Sequence, residues 1–228
     1  LTKDVNAFPG LNLNNIVTVL PLFFLATVRV GSFVISSPLF GMRGVPTPIR
    51  VVISFILGLA VVSFTGLPSE EILSSLNFIF IVLVEIAVGL TAGLIVTIWF
   101  ASVALAGEKM ATSAGLGYAA QIDPQAGGQT PVVSVILNLF LIVLFVSLDG
   151  HLLMLRVFFE SFSILPIGSI PPPMALIGAG IKAAGSMFIA ASLIMLPVVG
   201  IILMINVSAG IMTRSAPQLN LFSFVFPV

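Results

Sequence analysis

The feature that most constrains this chain is a series of apolar runs, several of them long enough to cross a lipid bilayer, which takes about 20 helical residues. They lie at Ile16–Phe40, Ile49–Leu67, Leu76–Ala106, Val132–Leu148, Leu152–Leu165 and Ala183–Met212. Only 7% of the 228 residues are charged, 59% are hydrophobic, and the mean hydropathy is +1.27. A soluble domain would carry charge on about a quarter of its residues. Most of the outer surface must therefore face lipid or other protein subunits.

The runs are uneven in length. Leu152–Leu165 is too short to span a bilayer comfortably, whereas Leu76–Ala106 and Ala183–Met212 are longer than one crossing requires. Pro21 and Pro197 lie inside runs, where each removes a backbone donor. The sequence therefore predicts an all-α fold of the membrane-protein type, built from kinked helical hairpins of hydrophobic helices.

Composition excludes several classes of site. Cysteine is absent and there is a single histidine, so disulfides, thiolate metal sites and multi-histidine metal centres are excluded. The formal net charge of zero argues against a nucleic-acid partner. No GxxxxGK[ST] loop for nucleotide phosphates occurs. We expect no cofactor.

The two ends of the chain give further expectations. The polar start, Leu1 to Asn15, has no basic stretch before an apolar core, so we expect no cleavable signal peptide. The last apolar stretch begins at Leu219 and is still apolar at Val228, so we expect a further C-terminal helix that this sequence does not contain.

A charge inside an apolar run costs roughly 2.5 to 3.5 kcal/mol at a helix centre unless it finds a partner or water, and the two clear cases are Arg29 and Glu85. We predict that they pair with each other. Glu85, Gly89 and Gly93 are spaced by four, so they share one helix face on which a neighbouring backbone can approach closely. This face predicts a helix or subunit contact around a buried carboxylate. A proton relay or substrate counter-ion is the alternative.

A second face with the same spacing carries Asn206, Gly210 and Arg214. It predicts packing against a partner, and the alternative is a terminal Arg214 that snorkels to the surface. His151 stands at the break between two apolar runs. Without an accompanying nucleophile or metal constellation it is more typical of a hydrogen-bonded structural residue, and we assign it no chemistry.

The stretch GLGYAAQIDPQAGGQTP, Gly115 to Pro131, separates two strongly apolar helices. Its glycines oppose a continuous helix, and bulky Tyr118 and Ile122 would be wasted on a solvated linker. Non-helical backbone at membrane depth is tolerated where it lines a cavity or is buried in protein. We predict a pore-filling loop, with an external loop as the alternative. The predicted plug residues are Gly115, Leu116, Gly117, Tyr118, Gln121, Ile122, Asp123, Pro124, Gly127 and Gly128.

Six stretches, in the same order along nearly the whole chain, resemble the R subunit of the flagellar type III export gate, the FliR family, whose injectisome counterpart is the T-type export subunit. They are PLFGMRGVPTPIR at Pro38–Arg50, EIAVGLTAG at Glu85–Gly93, AGEKMATSAGLGYAAQIDP at Ala106–Pro124, LDGHLLML at Leu148–Leu155, SFSILPIG at Ser161–Gly168 and RSAPQLNLFSFVFP at Arg214–Pro227. The motif residues are Pro38, Arg43, Pro46, Arg50, Glu108, Asp149, Gly150, His151, Pro217, Gln218, Asn220 and Pro227.

The resemblance implies a non-enzymatic subunit of a helical P/Q/R gate core, one R subunit assembling with several P and Q subunits and with the B-type export switch subunit. It implies a single R-type domain, P-like over about 1–173 and Q-like over about 174–228, in the bacterial inner membrane at the flagellar basal body. Exported unfolded proteins would pass the channel, and the loop at Gly115 to Pro131 would plug it. The family's plug is usually aromatic, whereas here only Tyr118 is.

Two alternatives remain open. The first, in the same class, is the virulence-secretion counterpart, which neighbouring genes for flagellin or needle components would decide. The second is a small-solute or ion permease, suggested by Arg29 and Glu85. A permease of that kind predicts an inverted internal repeat with paired broken helices, and we find no such repeat in the sequence.

Overall fold

A computed structural model describes residues 13–42, 44–64, 78–116 and 131–215. Those ranges contain α-helices joined by turns and, within them, no strand. The predicted all-α fold is therefore confirmed. The helices are α1 (Leu13–Ser36), α2 (Thr47–Phe64), α3 (Phe78–Ser113), α4 (Val132–Ser147), α5 (Gly150–Ile164) and α6 (Pro173–Ser215).

Three helices are long and apolar enough to cross a membrane, over Val19–Ser36, Phe78–Ser113 and Pro173–Arg214. The number becomes four if α4 and α5, which are separated by a break, form one broken span. At 1.5 Å per residue, α3 and α6 have contour lengths of roughly 54 and 64 Å, well beyond the hydrocarbon core of about 30 Å. The uneven lengths expected from the sequence are therefore present.

Two helices extend well beyond the apolar runs in the sequence. α3 continues past Ala106 through the exposed Glu108 and Lys109, and α6 begins ten positions before Ala183 and includes the exposed Lys182. Helical hydrogen bonding requires only a permissive backbone, so a helix does not end where its side chains become polar. An apolar run therefore identifies the part of a helix that can be buried in lipid or protein. It does not predict the residues at which the helix begins and ends.

Two breaks are set by residues with positive φ. The turn that follows α3 contains Gly115, with φ of 81°, and there the N–H of Leu116 donates to Ala111 O and that of Gly115 to Thr112 O, the Schellman arrangement. Between α4 and α5, Asp149 has φ of 55°, and its carbonyl accepts the N–H groups of Leu152 and Leu153. The expected break ahead of His151 is therefore present.

The chain divides into two compact units, residues 1–97 with 149–183, and residues 98–148 with 184–228. In the first unit, α1 and α2 form a hairpin in which Phe23 and Phe55 are in ring contact at 5.7 Å. Gly58 of α2 lies directly against Thr27 of α1, where a Cβ would come within 3.2 Å of the Thr27 Cα. Buried side chains on α1 form much of the core of this unit: Leu22, Leu25, Ala26, Val30, Phe33 and Val34.

The second unit packs α4 and the later part of α6 against the end of α3. Buried Ala106, Met110 and Ala191 form its centre, surrounded by partly buried aliphatic side chains. Ser134 Oγ donates to Ala104 O at 3.0 Å, and Phe100 meets Phe145 edge to face. Because Gly107 lacks a side chain, α4 can approach α3 closely at Ser134.

This contact gives a stability prediction. A Cβ at Gly107 would lie 2.6 Å from the Ser134 Cα, so Gly107→Ala should destabilise the unit by about 1 to 3 kcal/mol through overpacking. Gly185→Ala, in the same unit, meets nothing within 4 Å and should be neutral or stabilise by about 0.5 to 1 kcal/mol. Thermal denaturation of the full-length protein in detergent measures both. Equal midpoints for the two variants would contradict the packing described.

Candidate functional site

The centre of the first unit is a buried ion pair. Arg29 of α1 and Glu85 of α3 are both fully buried, and the Arg29 Nε donates to the Glu85 Oε2. The pairing predicted from the sequence is confirmed. A second ion pair, Arg156 with Glu160 on α5, is exposed and separated by one helical turn, so it is the type of pair that contributes little to stability.

The ion pair also holds the connection after α5. Arg29 Nη1 donates to Leu165 O at 2.8 Å, and the N–H of Gly168 donates to Glu85 Oε1 at 2.9 Å. Gly168 has φ of 85° and stands third in a turn closed by the Ser169 N–H to Pro166 O bond, a position that requires a positive φ in a type II turn. Each charge therefore ties a different backbone group of the connection after α5 to the helices.

Aromatic rings close the apolar side of the ion pair. The Arg29 guanidinium carbon lies 4.5 Å from the centroid of the Phe162 ring, a cation–π distance. Phe158 stands edge to face with Phe162 and stacks on Phe33 at 3.9 Å. The rings keep water away from the charges, which strengthens their attraction and raises the cost of separating them.

One hydrogen-bond donor of the Arg29 guanidinium has no partner among the described residues. Arg29 Nη2 is buried and has no hydrogen-bond partner in the part of the chain that the structure describes. Two of the three guanidinium nitrogens are thus satisfied, one by the carboxylate and one by a backbone carbonyl. A buried charge with this many partners is held in one place and orientation.

α1 and α3 meet through a face without bulky side chains. A Cβ at Gly89 would collide with the Arg29 carbonyl and the Ser32 hydroxyl, and one at Gly93 would lie 2.8 Å from the Phe33 carbonyl. One turn further along α3, Thr97 Oγ1 donates to Ser36 O at 2.6 Å. The contacts advance in the same direction on both helices, so α1 and α3 run parallel here.

Sequence reasoning missed the three aromatic rings beside Arg29, the Thr97 hydroxyl and the backbone groups of Leu165 and Gly168. Thr97 continues the spacing of four set by Glu85, Gly89 and Gly93, so the extended periodicity could have identified it. The backbone groups of Leu165 and Gly168 leave no side-chain signal, because they bind through a carbonyl and an N–H. Only the Pro-x-Gly turn pattern beginning at Pro166 pointed to a fixed turn.

Chemically, this arrangement can position helices and offers no free catalytic group. Both carboxylate oxygens of Glu85 are engaged, and the groups around Arg29 are backbone and aromatic rings. Within the described ranges, no group of three or more His, Asp or Glu could hold a metal ion. The geometry therefore favours a structural role for the two charges.

The other predicted packing face is exposed with respect to the described residues. Asn206, Gly210 and Arg214 are all exposed on α6, and nothing lies within 4 Å of the position that a Cβ on Gly210 would take. The face makes no contact among the described residues that would explain its small and polar side chains. Its packing against a partner stays a prediction.

Several motif residues lie at helix ends. Pro38 follows α1, and the Pro46 carbonyl accepts the N–H groups of Ile49 and Arg50 at the start of α2. Arg50 Nη2 donates to Met42 O at 2.6 Å, which ties α2 to the connection before it. Glu108 is exposed on α3.

The break between α4 and α5 contains the remaining described motif residues. Asp149 is exposed, Gly150 is the first residue of α5, and His151 is partly buried in its first turn. The His151 Nδ1 is buried without a hydrogen-bond partner among the described residues. The expectation of a hydrogen-bonded histidine is therefore not met at this nitrogen.

Of the predicted plug residues, Gly115 lies in the turn that follows α3, and Leu116 directly after it is 64% exposed. The remaining sequence-predicted residues lie outside the described ranges: Arg43, Gly117, Tyr118, Gln121, Ile122, Asp123, Pro124, Gly127, Gly128, Pro217, Gln218, Asn220 and Pro227.

The ion pair gives a second prediction. Arg29→Met or Glu85→Leu should each cost about 3 to 5 kcal/mol, because the remaining charge is left buried and unpaired. The double variant R29M/E85L should recover part of this loss, although the Leu165 carbonyl and the Gly168 N–H lose their partners. Reversal at both positions, R29E/E85R, should recover less, since it directs a carboxylate at the Leu165 carbonyl.

These effects are measured as the heating midpoint at which detergent-solubilised full-length protein loses its monodisperse size-exclusion peak. Arg156→Met is the control, and removal of its exposed pair should change stability by less than about 0.5 kcal/mol. Single variants at Arg29 and Glu85 that denature with the Arg156 control would show that the pair is dispensable.

Comparison with known proteins gives the family. Residues 20–228 match the family described as bacterial export proteins, family 1. The chain is 32% identical over 206 residues to flagellar biosynthetic protein FliR of Pectobacterium carotovorum, covering 90% of this chain and 78% of that one. It is 31% identical to FliR of Bacillus subtilis (95% and 84% covered) and 28% identical to FliR of Escherichia coli (92% and 80%). The chain therefore belongs to the FliR family of bacterial export proteins.

Proposed function

We propose that this chain is a structural and gating subunit of the flagellar type III protein export channel and is needed for export of flagellar proteins. The observation that carries the proposal is the match to flagellar FliR proteins along nearly the whole chain, residues 20–228. In this proposal the chain is not an enzyme. It acts by position, lining and closing a passage through which unfolded proteins are moved by other components.

The proposed partners are the P and Q subunits, several of each around one copy of this chain, together with the B-type export switch subunit. The proposed location is the inner membrane at the flagellar basal body. Support comes from the open faces of α4 and α6, which carry many exposed large aliphatic and aromatic side chains. Soluble monomers rarely expose apolar area on this scale, so such faces indicate burial by lipid or protein. The face of Asn206, Gly210 and Arg214 is a proposed subunit contact.

The loop between α3 and α4 is the proposed plug. Both of its stems are fixed: the Schellman turn at Gly115 ends α3, and α4 begins directly after Pro131. The stems are held together near the loop by the close approach of Gly107 to Ser134 and by the Ser134 Oγ bond to Ala104 O. In this proposal the loop extends into the channel, and its bulky Tyr118 and Ile122 would fill the opening.

A stand-alone permease finds less support. Arg29 and Glu85 were the residues that suggested it, and both are engaged with each other and with the turn at Leu165 to Gly168. Neither presents a free charge to a solute. For the injectisome alternative, the compared relatives carry flagellar names, which favours the flagellar system.

Deletion of Gly117 to Gly128 tests the plug. Because the stems are held by contacts outside the deleted segment, we expect the complex to assemble in normal amount. Efflux of a small dye from cells that express the whole gate should rise severalfold. The milder variant Y118A/I122A, which keeps the loop length, should leak by an intermediate amount.

Arg156→Gln is the control for surface changes and should behave as wild type in both assays. Secreted flagellin is recorded in parallel, because a gating subunit should affect export as well as leakage. Wild-type permeability in an assembled deletion variant would remove the plug assignment, and normal flagellin export without this chain would remove the export role.

A further inference from the structure

The first unit contains a groove that the ion-pair site does not use. It lies between α1 and α2 and has a volume of about 700 Å³. Phe23, Phe24, Val28, Ile35 and Phe55 supply much of its apolar wall. We propose that this groove binds one phospholipid, whose acyl chain lies along the apolar wall and whose phosphate is held by Arg50.

The dimensions of the groove fit an acyl chain. Along α1 the lining extends from Leu20 to Ile35, which at 1.5 Å per residue is roughly 22 Å. One leaflet of hydrocarbon is half of the core of about 30 Å, or roughly 15 Å. The groove is therefore long enough to hold the chain of a lipid from one leaflet, with length left over at the end where a headgroup would lie.

The charge distribution selects an amphipathic ligand. Arg50 is the single charged residue among those that line the groove. Its guanidinium lies at the connection end of the hairpin, where Nη2 donates to Met42 O. Its Nε is buried without a hydrogen-bond partner, and Arg50 forms no ion pair among the described residues.

A positive charge at one end of an otherwise apolar wall complements a phospholipid. Arginine binds phosphate oxygens through charge-assisted hydrogen bonds, and the guanidinium of Arg50, which forms no ion pair among the described residues, supplies the positive charge. Thr47, one turn before Arg50, adds a hydroxyl to the same end of the groove. The inference stands on the membrane-type hairpin alone and does not depend on the export role.

Native mass spectrometry of the detergent-solubilised full-length protein, with phosphatidylglycerol or phosphatidylcholine added, tests the proposal through the ratio of lipid-bound to lipid-free protein. Gly31→Leu fills the groove, and its Cβ meets Ser54 Oγ only at 3.6 Å, an ordinary contact. Gly178→Leu adds the same bulk on α6 where nothing lies within 4 Å. Arg50→Gln removes the charge and Arg50→Lys retains it.

We expect wild type and G178L to retain one lipid, and G31L to lose most of it. R50Q should lower the phosphatidylglycerol ratio about tenfold, the size of a lost hydrogen bond to a charged group, while R50K should keep most of it. R156Q is the charge control outside the groove. Size-exclusion recovery identifies the variants that remain folded. If R50Q does not fold, the single variants G31L and R50K, each compared with wild type, still test the proposal.

Equal ratios for G31L and G178L would overturn the proposal, because the lipid would then bind elsewhere. The same holds if folded wild type retains no lipid at all. A photo-crosslinking residue at Phe24 provides an independent test in cells. Capture of lipid supports the groove as a lipid site, and capture of another protein without lipid would overturn it.

Discussion

A charge buried in an apolar helix is costly unless it is paired with an opposite charge. In the first unit, Arg29 and Glu85 form such a pair, and the surrounding helices pack around it. The pair joins α1 to α3, and Arg29 Nη1 and Glu85 Oε1 form hydrogen bonds to the connection at Leu165 to Gly168. The glycines at 89 and 93 bring the two helices close enough for this contact. Removal of either charge would therefore affect α1, α3 and the connection at Leu165 to Gly168 at once. Apolar packing alone would not fix the register of these three segments.

The sequence was sufficient to predict the pair, because Arg29 and Glu85 are the clear charges inside apolar runs and the spacing of four placed Gly89 and Gly93 beside Glu85. The direction of α1 relative to α3 could not be predicted, since a glycine face permits approach in either direction. The backbone partners at Leu165 and Gly168 were also inaccessible, because a carbonyl and an N–H occur in every such turn. The groove at Arg50 is lined by side chains of both α1 and α2, and the fit between two helices leaves no periodic signal in the sequence of either.

Much of the apolar surface of the described helices is not covered by other described residues. Large hydrophobic side chains on α4 and α6 are exposed by half or more, Val132, Leu139, Phe140, Val143, Leu193, Leu203 and Met204 among them. The two longest helices also exceed the thickness of a hydrocarbon core, so lipid cannot cover all of their surface if they cross it upright. These faces suit a chain that packs against other subunits. The hydrophobicity of these faces shows that they must be shielded from water. It does not distinguish shielding by lipid from shielding by protein.

The most direct test of the subunit assignment is the mass of the intact complex after this chain, carrying an affinity tag, is co-expressed with candidate P and Q subunits and purified in mild detergent. We predict a single species that contains one copy of this chain with several copies of each partner. Charge reversal of Arg214 on the open face of α6 should shift the population towards smaller species. A tagged chain that purifies alone as a folded monomer, with both partners present in the same membranes, would contradict the assignment.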